Sequence, residues 1–212
     1  MTQRRTPGVA RRTVALFPLR SVLFPGSLLR LKVFEARYLD LVGRCLREND
    51  SFGVVCLESG DEVRGGKGPT KFAQSGTLAL IEDVDAEGTN LLHVRCRGGA
   101  RFAIEGASRQ QPDGLWMAEV SLLDDDASEV PAPDLLPTVQ ALQQVIASLR
   151  AQPSGVPFAE PYRLDDAGWV ANRWCEILPI SLVAKQKLML LPDAQARLRL
   201  VHEYLKGRGV VQ

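Results

Sequence analysis

From about residue 14 to 123, apolar and polar positions alternate with the period of two that marks strands, broken at intervals by Pro and Gly. Leu16-Phe17-Pro18-Leu19 and Val22-Leu23-Phe24-Pro25-Gly26 read as two short apolar strands punctuated by Phe-Pro turns. A helix follows over Glu35 to Glu48, where Tyr38, Leu39, Val42, Cys45 and Leu46 recur at helical spacing and Arg37, Asp40, Arg44 and Arg47 form the opposite face. Strand character resumes at Phe52-Gly53-Val54-Val55-Cys56-Leu57. The clearest hairpin joins 77–84 to 91–97 through the polar turn 85–90. In its second strand Leu92, Val94 and Cys96 share one face, and His93, Arg95 and Arg97 the other. Gly98-Gly99 reads as a further turn into Arg101-Phe102-Ala103-Ile104-Glu105, with Phe102 and Ile104 inward, and the last strand runs from Leu115 to Leu122.

The texture changes at 124–133, where Asp124-Asp125-Asp126-Ala127-Ser128-Glu129 is acidic and Pro131 and Pro133 oppose regular pairing. Helical periods then run from Leu135 to Arg150, Asp165 to Leu178, Ser181 to Leu191 and Asp193 to Lys206. Asp165-Asp166, Ser181 and Asp193 are placed to cap the last three. The expected plan is α+β: a basic flexible tail (1–13), a β-rich domain with one helix (14–123), an acidic, proline-containing linker (124–133) and a C-terminal helical bundle (134–212).

Charge and chemistry narrow the picture mainly by exclusion. Lys plus Arg number 26 against 25 for Asp plus Glu, so no global field draws the chain to nucleic acid or to an anionic membrane. No apolar run has the length of a spanning helix. Arg11-Arg12 precedes an apolar stretch, but Pro18 and Arg20 interrupt it and no small-residue cleavage site follows, which argues against an export signal. Cys45, Cys56, Cys96 and Cys175 are widely spaced within apolar patterns and read as buried reduced thiols of a cytoplasmic protein.

The glycine-rich stretch Arg64-Gly65-Gly66-Lys67-Gly68-Pro69-Thr70 lacks phosphate-loop spacing and reads as an exposed loop. His93 and Cys96 point to opposite faces of a strand, which leaves no chelate, and His202 reads as a surface or boundary histidine. Ser181 with Lys185 is explained by a helix cap rather than a nucleophilic dyad. No catalytic residue, metal site or cofactor is expected. Arg95, Arg97 and Arg101, on the outward side of adjacent strands, form a candidate RNA-binding stripe that Glu82, Asp83, Glu105 and Glu119 are near enough to neutralise.

Several segments together resemble the Lon protease N-terminal domain family. They are Leu16-Phe17-Pro18-Leu19, Val22-Leu23-Phe24-Pro25-Gly26, Phe34-Glu35-Ala36-Arg37-Tyr38, Phe52-Gly53-Val54-Val55, Gly76-Thr77-Leu78-Ala79-Leu80-Ile81, Arg101-Phe102, and Leu178-Pro179 with Lys185-Gln186-Lys187-Leu188. The resemblance implies a PUA-like pseudo-barrel followed by a helical bundle, in the stand-alone branch that lacks fused ATPase and protease parts. It further implies a non-catalytic role in recognising unfolded or degron-bearing polypeptide, with a protease or chaperone as partner; RNA binding is the alternative, since PUA domains bind RNA. On this basis Leu19, Val22, Phe24, Pro25, Phe34 and Tyr38 are candidates for a client groove, with Arg20 and Arg37 at its rim. Plain core packing is the competing role for the six apolar residues. Arg37→Glu is the expected clean probe of the rim, whereas loss of Phe34 or Tyr38 is expected to confound folding with binding.

Overall fold

The computed structural model describes residues 11–62, 69–88, 90–152 and 156–212. The first ten residues and the glycines at 65, 66 and 68 lie outside the described residues. In chain order the elements are β1 (Arg11–Leu19), β2 (Leu28–Val33), α1 (Ala36–Glu48), β3 (Phe52–Ser59), β4 (Lys71–Ala86), β5 (Leu92–Gln110), β6 (Trp116–Leu122), a 3-10 turn (Pro133–Leu135), α2 (Leu136–Arg150), α3 (Ala167–Ile177), α4 (Leu182–Leu190) and α5 (Ala194–Lys206). The described residues fall into two compact units. One runs to Leu23 and from Leu29 to Asp124; the other joins Phe24–Leu28 to the residues from Asp125 onward.

In the first unit the sheet order is β2-β5-β4-β3-β1-β6, and β5 also pairs with β6, so β5, β4, β3, β1 and β6 close into a barrel. Closure depends on the length of β5. Its first half pairs with β4, from Leu92↔Ala86 to Ala103↔Ser75, and its second half with β6, from Phe102↔Leu122 to Gln110↔Trp116. The expected turn at Gly98-Gly99 is not there. The strand runs through it with an extra residue between the pairs Ala79↔Gly98 and Thr77↔Arg101, a bulge that bends the strand without ending it. Pro18 does not turn the chain either: it lies opposite Val55 of the parallel neighbour β3 and beyond the last β6 pair, Leu16↔Trp116, where its missing N–H costs no ladder bond. Phe24-Pro25-Gly26 does turn, with the Ser27 N–H donating to the Phe24 carbonyl and Gly26 at φ 76°. β1 also begins earlier than the alternation suggests, since Arg11, Arg12 and Thr13 pair with Ser121, Val120 and Glu119.

β1 reads as a nearly unbroken apolar run because both of its faces are covered. Val14 and Leu16 join Val55, Phe72, Leu78, Phe102, Ala118 and Val120 in one core cluster. Ala15, Phe17 and Leu19 join the other, with Leu31 and Val33 of β2 and with Tyr38, Leu41, Val42 and Cys45 of α1. On α1, Leu41 takes the buried place that helical spacing assigned to Leu46, which is 53% exposed. All four cysteines are buried and free.

The second unit is organised around two arginines with no exposed surface, Arg173 and Arg197. Arg197 donates to both carboxylate oxygens of Asp126, to Asn172 Oδ1 and to the carbonyls of Leu188 and Leu191. Arg173 bonds the Pro25 carbonyl and the Ser27 hydroxyl and pairs with Glu176, while its guanidinium lies 5.5 Å from the Trp169 ring centroid. A buried charge stripped of its partner costs about 3–5 kcal/mol, so both networks hold their segments firmly. The acidic stretch is accordingly bound to this unit, through Asp126 and through the Glu129 carbonyl, which accepts the Ala167 N–H. Asp166, Ser181 and Asp193 cap α3, α4 and α5 by accepting the N–H of Trp169, Ala184 and Ala196. His202 is buried, not superficial, and its Nδ1 lies 2.9 Å from the Thr138 hydroxyl.

The barrel interior has a measurable dependence on Gly76. A Cβ there would stand 2.1 Å from the Val54 carbonyl oxygen and 2.8 Å from the Phe102 ring. Gly76→Ala is therefore expected to cost about 1–3 kcal/mol and lower the melting temperature by several degrees. An unchanged thermal melt would contradict the β3–β4 register.

Candidate functional site

The first unit carries a groove of about 300 Å³ lined by Phe17, Leu19 and Ser21 at the end of β1, by Leu29 to Phe34 along β2, and by Glu35, Tyr38 and Glu62. Its floor is the margin of the cluster shared by β1, β2 and α1. Phe34 follows the last residue of β2 and keeps 54% of its surface exposed, while every other aromatic side chain among the described residues is buried or partly buried. Phe17 and Tyr38 stack with ring centroids 3.9 Å apart and planes at 12°. Together they give the groove a rigid aromatic base.

Charges surround the base. The Arg37 guanidinium lies 4.4 Å over the Tyr38 ring, donates to the Gly114 carbonyl at 2.8 Å and pairs with Glu35 at 3.1 Å. Arg20 donates its backbone N–H to the Glu62 carboxylate and its guanidinium to the Gly60 carbonyl. Arg30 and Lys32 are exposed on β2. Burial pushes the Tyr38 phenol up to about 12, with Arg37 opposing the rise and Glu35 and Glu62 adding to it.

Of the eight residues expected at a client groove, three line it: Leu19, Phe34 and Tyr38. Val22 is buried, and the adjoining Leu23 carbonyl accepts the Thr77 hydroxyl. Phe24 has no exposed surface, and the Pro25 carbonyl is held by Arg173; both residues belong to the second unit. Arg37 is tied on three sides, so Arg37→Glu is not a clean rim probe, whereas exposed Phe34 is. The pattern reading missed Arg30 and Lys32 although their alternation with Leu29, Leu31 and Val33 is plain in the sequence. It could not show which side of that strand stays open.

The basic stripe does not form as expected. Arg101 is only 4% exposed and donates to the Asp124 carbonyl, so it lies inward. Arg95 pairs with Glu82 and Asp83, and Arg97 with Glu82, as the cross-strand acids allow. Among the described residues no group of three or more His, Cys, Asp and Glu is placed to hold a metal ion, and no helix is long and apolar enough to cross a membrane. Ser181 caps its helix and the Lys185 amine donates to the Glu176 carbonyl, so they form no nucleophile pair.

Residues 13–207 match the family described as the ATP-dependent protease La (LON) substrate-binding domain. The chain belongs to that family. The crystal structure of a Lon N-terminal domain protein from Xanthomonas campestris covers 91% of this chain and 98% of its own, at 33% identity and a TM-score of 0.72. The N-terminal domain of a Mycobacterium avium complex Lon protease shares the fold at 15% identity and a TM-score of 0.60, covering 92% of this chain and 98% of its own. The Lon protease of Desulfosudis oleivorans is 22% identical over 194 residues, and Lon protease 2 of Myxococcus xanthus 24% identical over 196. Each match covers 91% of this chain but only 24% and 23% of those proteases, so the Lon substrate-binding chain spans about a quarter of their length. The mixed α+β architecture, six strands and five α-helices among the described residues, is therefore that of a Lon N-terminal domain.

The state of the groove's aromatic base can be read by titration. Free phenol ionises at 10.0, whereas Tyr38 holds its proton to about 12. The folded chain thus retains a proton that the unfolded chain releases, and stability falls as pH rises from 10.0 towards 12. Ultraviolet difference titration is expected to show one late phenolate step that Tyr38→Phe removes. Persistence of that step in the variant would contradict the buried stack.

Proposed function

We propose that this Lon-type domain is a non-catalytic polypeptide-binding module that holds unfolded or degron-bearing chains and serves as an adaptor in cytoplasmic protein quality control, with a protease or chaperone as partner. On this reading the barrel is PUA-like and the four helices beyond Leu135 act as a bundle. The observation that carries the proposal is Phe34, a half-exposed aromatic side chain at the mouth of an apolar groove in a domain whose family is described as substrate-binding. An exposed aromatic ring beside a concave apolar floor is the arrangement that anchors a client's hydrophobic side chain.

Holding a client requires no bond to be broken, and the family region supplies neither of the reactions that Lon proteases combine with recognition. Client binding by apolar contact depends weakly on salt, while binding through phosphate contacts weakens steeply with it. The RNA alternative is disfavoured by the burial of Arg101 and by the carboxylates that engage Arg95 and Arg97.

Phe34→Ser is expected to weaken binding of fluorescently labelled unfolded casein about fivefold or more, the loss that follows from removing an anchor worth at least 1 kcal/mol. Its melting temperature is expected to stay unchanged because the ring is largely outside the core. Undiminished casein binding, or tight RNA binding with a steep salt slope, would overturn the proposal.

A further inference from the structure

One wall of the groove is formed by Leu29, Arg30, Leu31, Lys32, Val33 and Phe34 without a gap. Successive side chains of a strand point to opposite faces, so a depression on one face is lined by every second residue. An unbroken run therefore places the groove along the strand's edge. That edge is open: β2 hydrogen-bonds to β5, and among the described residues no strand pairs with its other side. The facing wall comes from the end of β1, where Phe17 and Leu19 pair with β3 while the β6 pairing has already ended at Leu16. Among the described residues the two walls do not pair with each other, and the slot between them has the open backbone edge of β2 on one side and aromatic surface on the other.

We propose that this slot takes one extended polypeptide segment, which adds to the open edge of β2 as a further strand and in which apolar residues alternate with acidic ones. The proposal rests on the polypeptide-binding reading above and states how the client is held. A strand in register with β2 shares its two faces. Client side chains on the Leu31 and Val33 face meet Phe17, Leu19 and Tyr38, which line the slot; those on the opposite face meet exposed Arg30 and Lys32. The carboxylates at the rim are already engaged, Glu35 by Arg37 and Glu62 by the Arg20 N–H. Glu87, close enough to Lys32 to feel its charge, is bonded to His93, so Arg30 and Lys32 set the charge offered along β2, and cross-strand pairing selects acidic partners. From Leu29 to Phe34 the edge extends about 17 Å, room for five or six client residues. Cations on an open edge also discourage a second copy from pairing there, and an acidic strand is the partner that removes this repulsion.

The test uses the whole chain and fluorescein-labelled ten-residue peptides in which valine or phenylalanine alternates with glutamate, read by anisotropy. Two versions carry N-methyl groups on alternate backbone nitrogens, one in each register, and a third replaces every glutamate by lysine. The parent peptide is expected to bind. Methylation in one register is expected to weaken it about tenfold or more by removing main-chain hydrogen bonds, with little effect in the other register. The lysine peptide is expected to bind about tenfold more weakly. Arg30→Glu combined with Lys32→Glu should reverse that preference with the melting temperature unchanged. If the parent peptide binds and both methylated versions match it, or if unfolded casein binds through Phe34 and the parent peptide does not, strand addition is overturned and the groove reading survives. If neither peptides nor casein bind, both fall.

Discussion

A closed barrel needs every strand to find two neighbours, and here one strand must serve more than two. β5 meets that constraint by its length and its bulges, pairing with β4 along one half and β6 along the other while also bonding β2. Each of the five barrel strands has a paired neighbour on either side. β2 lies outside the closed set, and among the described residues it is attached through β5 alone. The groove follows from this arrangement, because β1 and β2 contribute to one apolar cluster yet are not neighbours in the sheet. The close packing that allows closure depends on small residues at the crossing of β3, β4 and β5, where Gly53 and Gly76 leave space for the Phe102 ring.

The second unit solves a different problem. Its helices bury two guanidinium groups, whose charge is tolerable there only because carboxylates and carbonyls are held against it. The matching partners come from distant parts of the chain: Asp126 from the acidic stretch for Arg197, and Pro25 and Ser27 from the segment after β1 for Arg173. Phe24–Leu28 therefore belongs to this unit although its neighbours on both sides belong to the other. The same feature explains why Phe24 and Pro25 do not line the groove that their place in the sequence suggested.

Much of the local structure was legible because its causes are local. The spacing of Tyr38, Val42 and Cys45 marked α1, the alternation of Leu92, Val94 and Cys96 marked the start of β5, and Asp166, Ser181 and Asp193 marked three helix starts. The readings that failed depended on partners far away. Pro18 looks like a turn until β6 is seen to end its pairing at Leu16, and Gly98-Gly99 looks like a turn until β4 is seen to continue alongside. Arg101 alternates as an outward residue, but an extra residue in the bulge preceding it shifts the phase of the strand, and its side chain turns inward. The groove was half legible for the same reason: Phe34 and Tyr38 could be picked out as aromatic residues near the first helix, whereas the open side of β2 follows from strand order, which no local pattern encodes.

On the proposed function, polypeptide is held at the groove between β1 and β2 and not on the Arg95 and Arg97 face. Backbone amide NMR of the isotopically labelled chain, titrated with an unfolded polypeptide, tests it most directly. Shifts concentrated at Leu29 to Phe34, Phe17, Leu19 and Tyr38 are expected, with the amides of Arg95 and Arg97 unmoved. Shifts centred on β5 around those arginines, with the β2 amides unchanged, would contradict it.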